Sequence, residues 1–258
     1  MNDDATRAHG ANYTLKDEIR AYWSKRAANF DSQVGHAFRS PAELTAMQAF
    51  LRRSLGAEPL TVLDLACGTG EISRALLGLG HRVTGIDFSD DMLALARAKL
   101  GRQARFVACD AERLLEDDAS YDALVTRHLV WTLTDPQAAF AEWFRVLKPG
   151  GRLLIVDGNW MTRTWLQRLM HKAGSLLAPK GDEHVRDRES FDSIARRFHF
   201  RDGLTFERLA AMLREAGFAR IETANYTPVL RAMQRNAPLA DALRIGAATR
   251  FALLATKG

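Results

Sequence analysis

The sequence has few cysteines and no long apolar run. Cys67 and Cys109 are the only cysteines among 258 residues, too few for the disulfide framework of a small secreted protein. No stretch approaches the roughly 18 consecutive apolar residues that span a bilayer. The first ten residues include two acids and lack the apolar core of a signal peptide. These absences predict free thiols in a cytoplasmic protein that does not enter a membrane.

The chain carries no uniform excess of one charge. Its 36 Lys/Arg and 31 Asp/Glu give a net charge of +5, and a basic pI near 9.5 raises the possibility of nucleic-acid binding. Residues 1–151 hold 18 basic and 20 acidic residues, whereas residues 152–258 hold 18 and 11. The basic excess therefore belongs to the C-terminal part, where it either attracts an anionic acceptor or is solvated surface.

Short apolar runs alternate with amphipathic segments from residue 60 onward. This pattern predicts parallel strands joined by helical crossovers that cover both faces of a sheet. Ligands bind such a sheet at the carboxyl ends of its strands. The predicted strands are Leu60–Leu65, Arg82–Asp87, Ala104–Cys109, Tyr121–Thr126, Arg152–Asp157, Arg220–Tyr226 and Arg250–Thr256.

Helices are predicted before, between and after these strands. The first dozen residues are expected to be loose. Residues 159–204 form a long connection that is expected to be a lid or substrate insertion, and its charged stretch Pro179–Asp202 has no clear period. The predicted helices are Leu15–Phe30, Pro41 to the stop at Gly56, a helix through Leu79, Ser89–Leu100, Asp135–Leu147, Asn159–Ala178 and Thr205–Ala216.

A glycine loop follows the first strand. Gly68 and Gly70 permit positive φ and close approach of a ligand to the backbone. A third glycine of the dinucleotide fingerprint is replaced by Ser73, and no lysine of a phosphate-binding P-loop follows. Asp87 lies seventeen residues after Gly70 at the end of the second strand, where an acid can accept both hydroxyls of a ribose.

Four segments carry a resemblance to a known family. The runs VLDLACGTG, GIDFS, ACDAE and RVLKPGG, in this order, resemble the class I S-adenosylmethionine-dependent methyltransferases. The resemblance covers about residues 20–157. It implies an α/β, Rossmann-like, doubly wound seven-stranded sheet, mostly parallel with an antiparallel last strand, to which the helical lid insertion is added.

The resemblance also implies which residues hold S-adenosylmethionine. Asp64 is similar to the acid that holds the methionine amino group, and Asp87 to the ribose-binding acid. The segment from Tyr22 to Asp31 is similar to the family's N-terminal YW-x-x-R-A-x-x-Y-D helix, with Phe30 in place of the common tyrosine. The implied cofactor residues are Tyr22, Arg26, Asp64, Ala66, Gly68, Gly70, Asp87, Phe88, Met92, Asp110, Ala111 and Arg127.

The chemistry of the cofactor fits these residues independently of the family. S-Adenosylmethionine has a sulfonium, an ammonium, a ribose and an adenine but no pyrophosphate, so a third glycine is dispensable. Carboxylates at Asp64, Asp87 and Asp110 suit such a ligand better than an anionic dinucleotide. His171, His184 and His199 are too scattered to predict a metal site.

Residues for the methyl acceptor are sought where the fourth and fifth strands end. His128 is a candidate general base or a packing histidine, and Arg127 a cofactor contact or a surface ion pair. Trp131 either stacks on a flat acceptor or packs in the core. Asp157, Asn159 and Trp160 are candidate acceptor contacts, although Asp157 and Asn159 also suit a turn and Trp160 also suits lid packing.

These observations predict one methyltransferase domain over residues 1–258, with helices in residues 1–56 covering the cofactor. The expected reaction is methyl transfer to oxygen or nitrogen of a small, flat or heteroaromatic metabolite, in a monomer or homodimer of secondary metabolism. Alternatives are a quinone-type C-methyltransferase, a non-catalytic S-adenosylmethionine-binding protein and a nicotinamide oxidoreductase. The chain lacks the Asn/Asp-Pro-Pro-aromatic motif of DNA amino-methyltransferases, so no nucleic-acid partner is expected.

Overall fold

A computed structural model describes residues 3–33, 35–177, 188–235 and 237–258. In these ranges seven strands form one sheet of order β3-β2-β1-β4-β5-β7-β6. The sheet is parallel from β3 to β5, and β7 runs antiparallel to both β5 and β6. The predicted fold class is confirmed. The strands are β1 Thr61–Leu65, β2 Arg82–Asp87, β3 Arg105–Ala108, β4 Tyr121–Arg127, β5 Leu147–Asn159, β6 Phe218–Thr223 and β7 Thr249–Lys257.

Ten α-helices occur in the described ranges and cover the sheet. They are α1 Asp3–Phe30, α2 Pro41–Leu55, α3 Glu71–Leu77, α4 Asp90–Leu100, α5 Pro136–Val146, α6 Trp165–Leu177, α7 Arg188–Ala195, α8 Phe206–Glu215, α9 Thr227–Arg235 and α10 Leu239–Gly246. Among the helices described, not one has both the length and the apolarity needed to cross a membrane.

Helix starts follow from local side-chain caps. The carboxylate of Asp135 accepts a hydrogen bond from the Ala138 amide at 3.0 Å, with Pro136 in the first turn of α5. The Ser89 hydroxyl accepts from the Met92 amide at 3.3 Å at the start of α4. Each cap satisfies an amide that the first turn leaves without an intrahelical partner. The sequence prediction begins both helices at these capping residues.

Two apolar clusters occupy the two faces of the sheet. Along β4, Leu124 belongs to one cluster, whereas Ala123 and Val125 belong to the other. Along β5, Ile155 belongs to the same cluster as Leu124, whereas Leu154 belongs to the other. Because successive side chains of a strand point to opposite faces, the central strands are apolar on both sides. This double burial fixes the strand register and so fixes where each strand end presents its functional residue.

Several predicted boundaries were wrong. Residues 3–12, which were expected to be loose, belong to α1, because this helix begins at Asp3. β5 extends to Asn159, because β7 pairs with it as far as Asn159–Thr249. Helix α6 therefore begins only at Trp165, and not at residue 159 as predicted.

The C-terminal part differs most from the sequence prediction. Part of the stretch expected to lack periodicity is the helix α7, and residues 178–187 of the predicted insertion lie outside the described residues. The predicted strand at 220–226 is shifted to Phe218–Thr223. Helices α9 and α10 were missed, although Pro228 and Pro238 at their starts are typical helix-start signals.

Candidate active site

The predicted cofactor residues meet at the carboxyl edge of the sheet. A cleft lies there, between α1 and the loops that follow β1, β2, β3 and β4. Its lining residues are Lys16, Ile19, Ala66, Asp87, Phe88, Cys109, Asp110, Ala111, Glu112, Leu129, Thr132, Leu133 and Thr134. The cleft thus brings together five of the residues that the sequence assigned to the cofactor.

The glycine loop is held in a backbone conformation that its sequence permits. Gly68 and Gly70 have φ of 54° and 84°, and Ala66 also has a positive φ of 53°. A Cβ atom on Gly70 would lie 3.2 Å from the Cβ of Ala96 in α4, so the helix packs directly against the loop. Gly70 is therefore required both for its φ and for this close approach.

Asp87 ties the glycine loop to the second strand. One carboxylate oxygen accepts a hydrogen bond from the Gly68 amide and the other from the Ser89 amide, both at 2.9 Å. Burial raises the pKa of Asp87 to about 6, although these amides oppose the shift. Asp87 lines the cleft, where the free lone pairs of its oxygens can accept ribose hydroxyls.

Asp64 lies at the end of β1 and is almost fully buried. Its carboxylate accepts a 2.6 Å hydrogen bond from the hydroxyl of Ser73 in α3. Burial raises the pKa of Asp64 to about 7, whereas Ser73 and the nearby charge of Arg127 lower it. Ser73 occupies the position of the missing third glycine, so the departure from the dinucleotide pattern has a structural purpose here.

Helix α1 lies across the loops of three strands. Its Lys16 forms 2.6 Å ion pairs with both Asp110 and Glu112 after β3. Ser24 is hydrogen-bonded to Ser89 after β2 at 2.8 Å. At the C-terminal end of the helix the ring of Phe30 lies over Gly68, and its edge is 3.7 Å from the point where a Cβ atom on that glycine would lie. The N-terminal helix therefore covers the cleft from Asp110 to the glycine loop.

The other predicted cofactor residues surround this arrangement. The Arg26 guanidinium lies 5.3 Å from the Tyr22 ring centroid and donates to Gln33 at 2.6 Å, while its buried Nε has no hydrogen-bond partner among the described residues. Phe88 is partly buried, with the guanidinium of Arg20 at 5.7 Å from its ring. Met92 is buried in the first turn of α4.

Such a cleft fits S-adenosylmethionine. Three carboxyl groups at successive strand ends can face its ammonium, ribose and adenine, and Ser73 donates a hydrogen bond to the first of them. A family model described as "Methyltransferase domain" matches residues 63–155. The demethylmenaquinone methyltransferase of Clavibacter sepedonicus is 34% identical over 176 residues, which cover 67% of this chain and 71% of that protein.

The chain belongs to the class I S-adenosylmethionine-dependent methyltransferases. A ubiquinone/menaquinone biosynthesis C-methyltransferase of Acidiphilium cryptum is 36% identical over 173 residues, or 64% of this methyltransferase and 68% of that one. S-Adenosylmethionine is therefore the cofactor, and the protein is an enzyme. The alternatives of a nicotinamide oxidoreductase and of a non-catalytic binding protein are set aside.

Solved structures share the fold of this methyltransferase. Phosphoethanolamine N-methyltransferase 2 of Haemonchus contortus, in complex with S-adenosyl-L-methionine, superposes with a TM-score of 0.62 at 22% identity. The match covers 91% of this chain but 57% of that one. A Burkholderia thailandensis 1,6-didemethyltoxoflavin-N1-methyltransferase gives a TM-score of 0.59 at 18% identity, covering 95% and 90% of the two chains.

His128 follows β4 in a strained backbone conformation. Its φ is 64°, which is unusual for a residue with a side chain, and its amide donates to the Val156 carbonyl at 2.9 Å. Burial, together with the charges of Arg127, His36 and Arg250, lowers the pKa of His128 well below its ordinary value. The imidazole is therefore neutral at physiological pH.

Asp157 organises the aromatic side chains beside His128. Its buried carboxylate accepts hydrogen bonds from the Trp160 indole at 2.9 Å and from the Trp131 amide at 3.4 Å. Burial raises the pKa of Asp157 to about 7. The Trp160 ring stands edge-on to His128, with 5.0 Å between the centroids. His128 and Trp160 thus form one wall at the exits of β4 and β5.

The remaining candidates at these strand ends make further contacts of their own. Trp131 is 7% exposed, and its ring packs against Phe191 and Phe198. Asn159 forms a turn with Thr162, because its side-chain oxygen accepts a 3.0 Å hydrogen bond from the Thr162 amide. Arg127 donates to the His36 carbonyl and lies over the Phe38 ring.

Three residues of the site escaped the sequence prediction. Ser73 stood out in the sequence only as a missing glycine, and neither Lys16 nor Arg250 carries a local signal. Ser73 could have been found from helical spacing, because it lies one turn or less from the glycine loop. Both cysteines are buried and unpaired, and burial raises the pKa of each thiol. No group of three metal-ligating side chains occurs within the described ranges.

Proposed function

We propose that this methyltransferase transfers the methyl group to an oxygen or nitrogen atom of a small, flat or heteroaromatic metabolite. The observation that carries the proposal is the pairing of a neutral imidazole with an indole wall at the exits of β4 and β5. The ring centroids of His128 and Trp160 are 5.0 Å apart, and the edge of one ring faces the other. An aromatic acceptor can stack on such a wall and present a ring substituent to the imidazole.

Methyl transfer requires alignment more than strong acid or base catalysis. When bound, the cofactor supplies an electrophilic methyl carbon: the acceptor lone pair bonds to it while the C–S electron pair remains on sulfur. His128 is placed to accept a hydrogen bond from the acceptor O–H or N–H and to orient its lone pair. The proton passes to that imidazole or to water.

The surrounding segments have supporting roles in this proposal. Residues 1–258 act as a single domain, and helices in residues 1–56 cover the cofactor, as Lys16 of α1 illustrates by closing on Asp110. The insertion at residues 159–204 would shape the acceptor side, because its Phe191 lies 5.4 Å from Tyr22 and 6.0 Å from Trp131, ring centroid to ring centroid. We further propose that the acceptor is a free small molecule and not nucleic acid, with the enzyme acting as a monomer or homodimer in the cytoplasm.

C-methylation of a quinone precursor is the second candidate. It is favoured by the curated relatives, whose names specify demethylmenaquinone and ubiquinone/menaquinone biosynthesis. Such an acceptor is also flat. It differs in the atom attacked, because a ring carbon and not a substituent lone pair forms the new bond.

An acceptor panel tests the proposal. Release of S-adenosylhomocysteine would be measured with phenols, hydroxylated heteroaromatics, aza-aromatics and a demethylated naphthoquinol. The proposal predicts turnover with members of the first three groups, reduced at least tenfold in Trp160→Ala, whose lost indole removes the stacking wall. If only the demethylated naphthoquinol were methylated and the other three acceptor classes were not, C-methylation of a quinone precursor would replace this proposal.

A further inference from the structure

Two arginines beside His128 have no acidic partner among the described residues. The partly buried cations Lys16, Arg74 and Arg145 each lie within 4 Å of a carboxylate. In the same part of the chain, neither Arg127 nor Arg250 does. Taking a guanidinium out of water without an opposite charge is costly, so these two arginines need another explanation.

Arg250 is fixed by neutral groups. Its Nη1 donates to the Ile245 carbonyl at 2.6 Å, and its guanidinium lies 5.0 Å from the ring centroid of Trp160. Its Nε is buried and finds no hydrogen-bond partner in the described ranges. A guanidinium carries five N–H donors in a rigid plane. The Arg250 side chain is therefore held in place while its Nε–H still lacks an acceptor among the described residues.

The antiparallel direction of β7 brings Arg250 to the ligand edge. Arg250 is the second residue of β7 and lies opposite Gly158, next to the last residue of β5. Thus the start of an antiparallel strand adjoins the carboxyl ends of the parallel strands. The absence of a side chain at Gly158 lets the Trp160 indole lie there, since a Cβ atom would come within 3.2 Å of that ring.

Arg127 faces the same region from β4. It is the last residue of that strand, and its charge opposes the effect of burial, which raises the pKa of the Tyr226 phenol. Both arginines contribute to keeping His128 neutral. The buried carboxyl of Asp64 lies near enough to Arg127 to interact with its charge, but the neighbours of Arg250 are an imidazole, an indole and a phenol, none of which carries a negative charge.

We propose that Arg250, assisted by Arg127, binds an anionic group of the methyl acceptor, a carboxylate on a ring that stacks at Trp160. A carboxylate matches the planar donor fork of arginine and would supply the charge that the cluster lacks. This inference rests on the proposed function, because it names the acceptor of that same site.

The cofactor's own carboxylate is the competing occupant. Asp64, which faces the methionine amino group in our assignment, lies on β1, and β7 is three strands from β1 in the sheet. At about 4.8 Å between neighbouring strands, the backbone of Arg250 is roughly 14 Å from that of β1. Arg250 therefore belongs to the acceptor side, whereas Arg127, at the end of the central strand β4, lies between the two ligands.

Matched neutral and anionic probes test the inference without turnover. Binding of benzoate and of benzamide to the protein saturated with S-adenosylhomocysteine would be measured by calorimetry. We expect benzoate to bind at least tenfold more tightly than benzamide. Equal affinity of the two probes for the unmodified protein would overturn the inference, and this comparison needs no variant.

Variants then assign the effect to Arg250. In Arg250→Gln the preference for benzoate should fall at least tenfold, while Arg250→Lys should retain part of it and the affinity for S-adenosylhomocysteine should change less than threefold. Arg220→Gln, an exposed arginine of β6, is the control and should match the unmodified protein. A tenfold loss of S-adenosylhomocysteine affinity with benzoate unaffected would assign Arg250 to the cofactor instead. If no acceptor in the panel were methylated, the proposed function would be refuted. The relative affinities for benzoate and benzamide would still show whether Arg250 binds an anionic group.

Discussion

The hydroxyl of Ser73 donates a 2.6 Å hydrogen bond to the buried carboxylate of Asp64. This bond links the first turn of α3 to the end of β1, on either side of the glycine loop. It holds in place the acid that the family resemblance assigns to the cofactor's amino group. The residue that breaks the dinucleotide fingerprint is thus the one that fixes the Asp64 carboxylate.

Replacing Ser73 should weaken cofactor binding. In Ser73→Ala the Asp64 carboxylate loses its buried partner, at a cost of about 1–3 kcal/mol, so we expect roughly a 5- to 100-fold loss of S-adenosylmethionine affinity. Ser73→Thr keeps a hydroxyl and should retain more affinity. Calorimetry measures both, and unchanged binding by Ser73→Ala would show that the bond does not support the cofactor.

The buried carboxyl groups predict an unusual dependence of stability on pH. Burial raises the pKa of Asp64 to about 7 and that of Asp87 to about 6, above the ordinary value of about 3.9 in an unfolded chain. The folded protein therefore retains protons that the unfolded chain has released. Without cofactor, the free energy of unfolding contributed by these groups should fall from about pH 4 to about pH 7 and remain low above that range.

Urea unfolding of the cofactor-free protein at pH 5 and pH 8 measures this effect. Asp64→Asn, which removes one buried charge, should narrow the difference between the two pH values and should be more stable than the unmodified protein at pH 8. Asp122→Asn is a suitable control, because its pKa is lowered, chiefly by Lys148 against a burial effect that raises it. If the free energy of unfolding of Asp64→Asn differs between pH 5 and pH 8 as much as that of the unmodified protein, other groups cause the pH dependence.

Lys16 should slow the release of cofactor product. Its two ion pairs with Asp110 and Glu112 hold α1 over the cleft, and partly exposed pairs of this kind are worth up to about 1 kcal/mol each. In Lys16→Met we expect S-adenosylhomocysteine to dissociate about 3- to 10-fold faster, as stopped-flow fluorescence would report. Lys25→Met, on an exposed position of the same helix, should release it at the original rate. Equal rates in the two variants would mean that α1 does not gate the cleft.

His128 should act as a neutral hydrogen-bond acceptor. Because burial and two arginines lower its pKa, the pH profile of kcat between pH 6 and 8 should show no inflection from this residue. His128→Asn suits the positive φ and should lower kcat about 10- to 100-fold, with cofactor affinity changed less than threefold. An inflection near pH 6.5 that disappears in His128→Asn would instead make His128 a titrating general base.

The sequence predicted best those parts of the molecule that depend on neighbouring residues. The glycine loop, Asp87 and the caps at Ser89 and Asp135 are encoded within a few positions, and the central strands are apolar on both faces. Their identity and order were therefore predictable. The resemblance to a family added the antiparallel last strand, which strand periodicity alone does not reveal.

Contacts between distant segments could not be predicted in this way. Lys16 and Asp110 are separated by 94 positions, and Arg250 reaches the site only because β7 reverses direction beside β5. For a lysine on an amphipathic helix or an arginine at a strand start, the neighbouring sequence does not indicate which distant residue it contacts. Helices α9 and α10 were missed because proline at a helix start is equally typical of a loop.

The position of the transferred methyl group tests the central claim most directly. The enzyme would be incubated with S-adenosylmethionine carrying ¹³C in its methyl group and with each active acceptor, and the product examined by carbon NMR. The account predicts a methyl resonance in the O-methyl or N-methyl region. A resonance of a methyl group bonded to a ring carbon, with no O- or N-methyl signal, would contradict it.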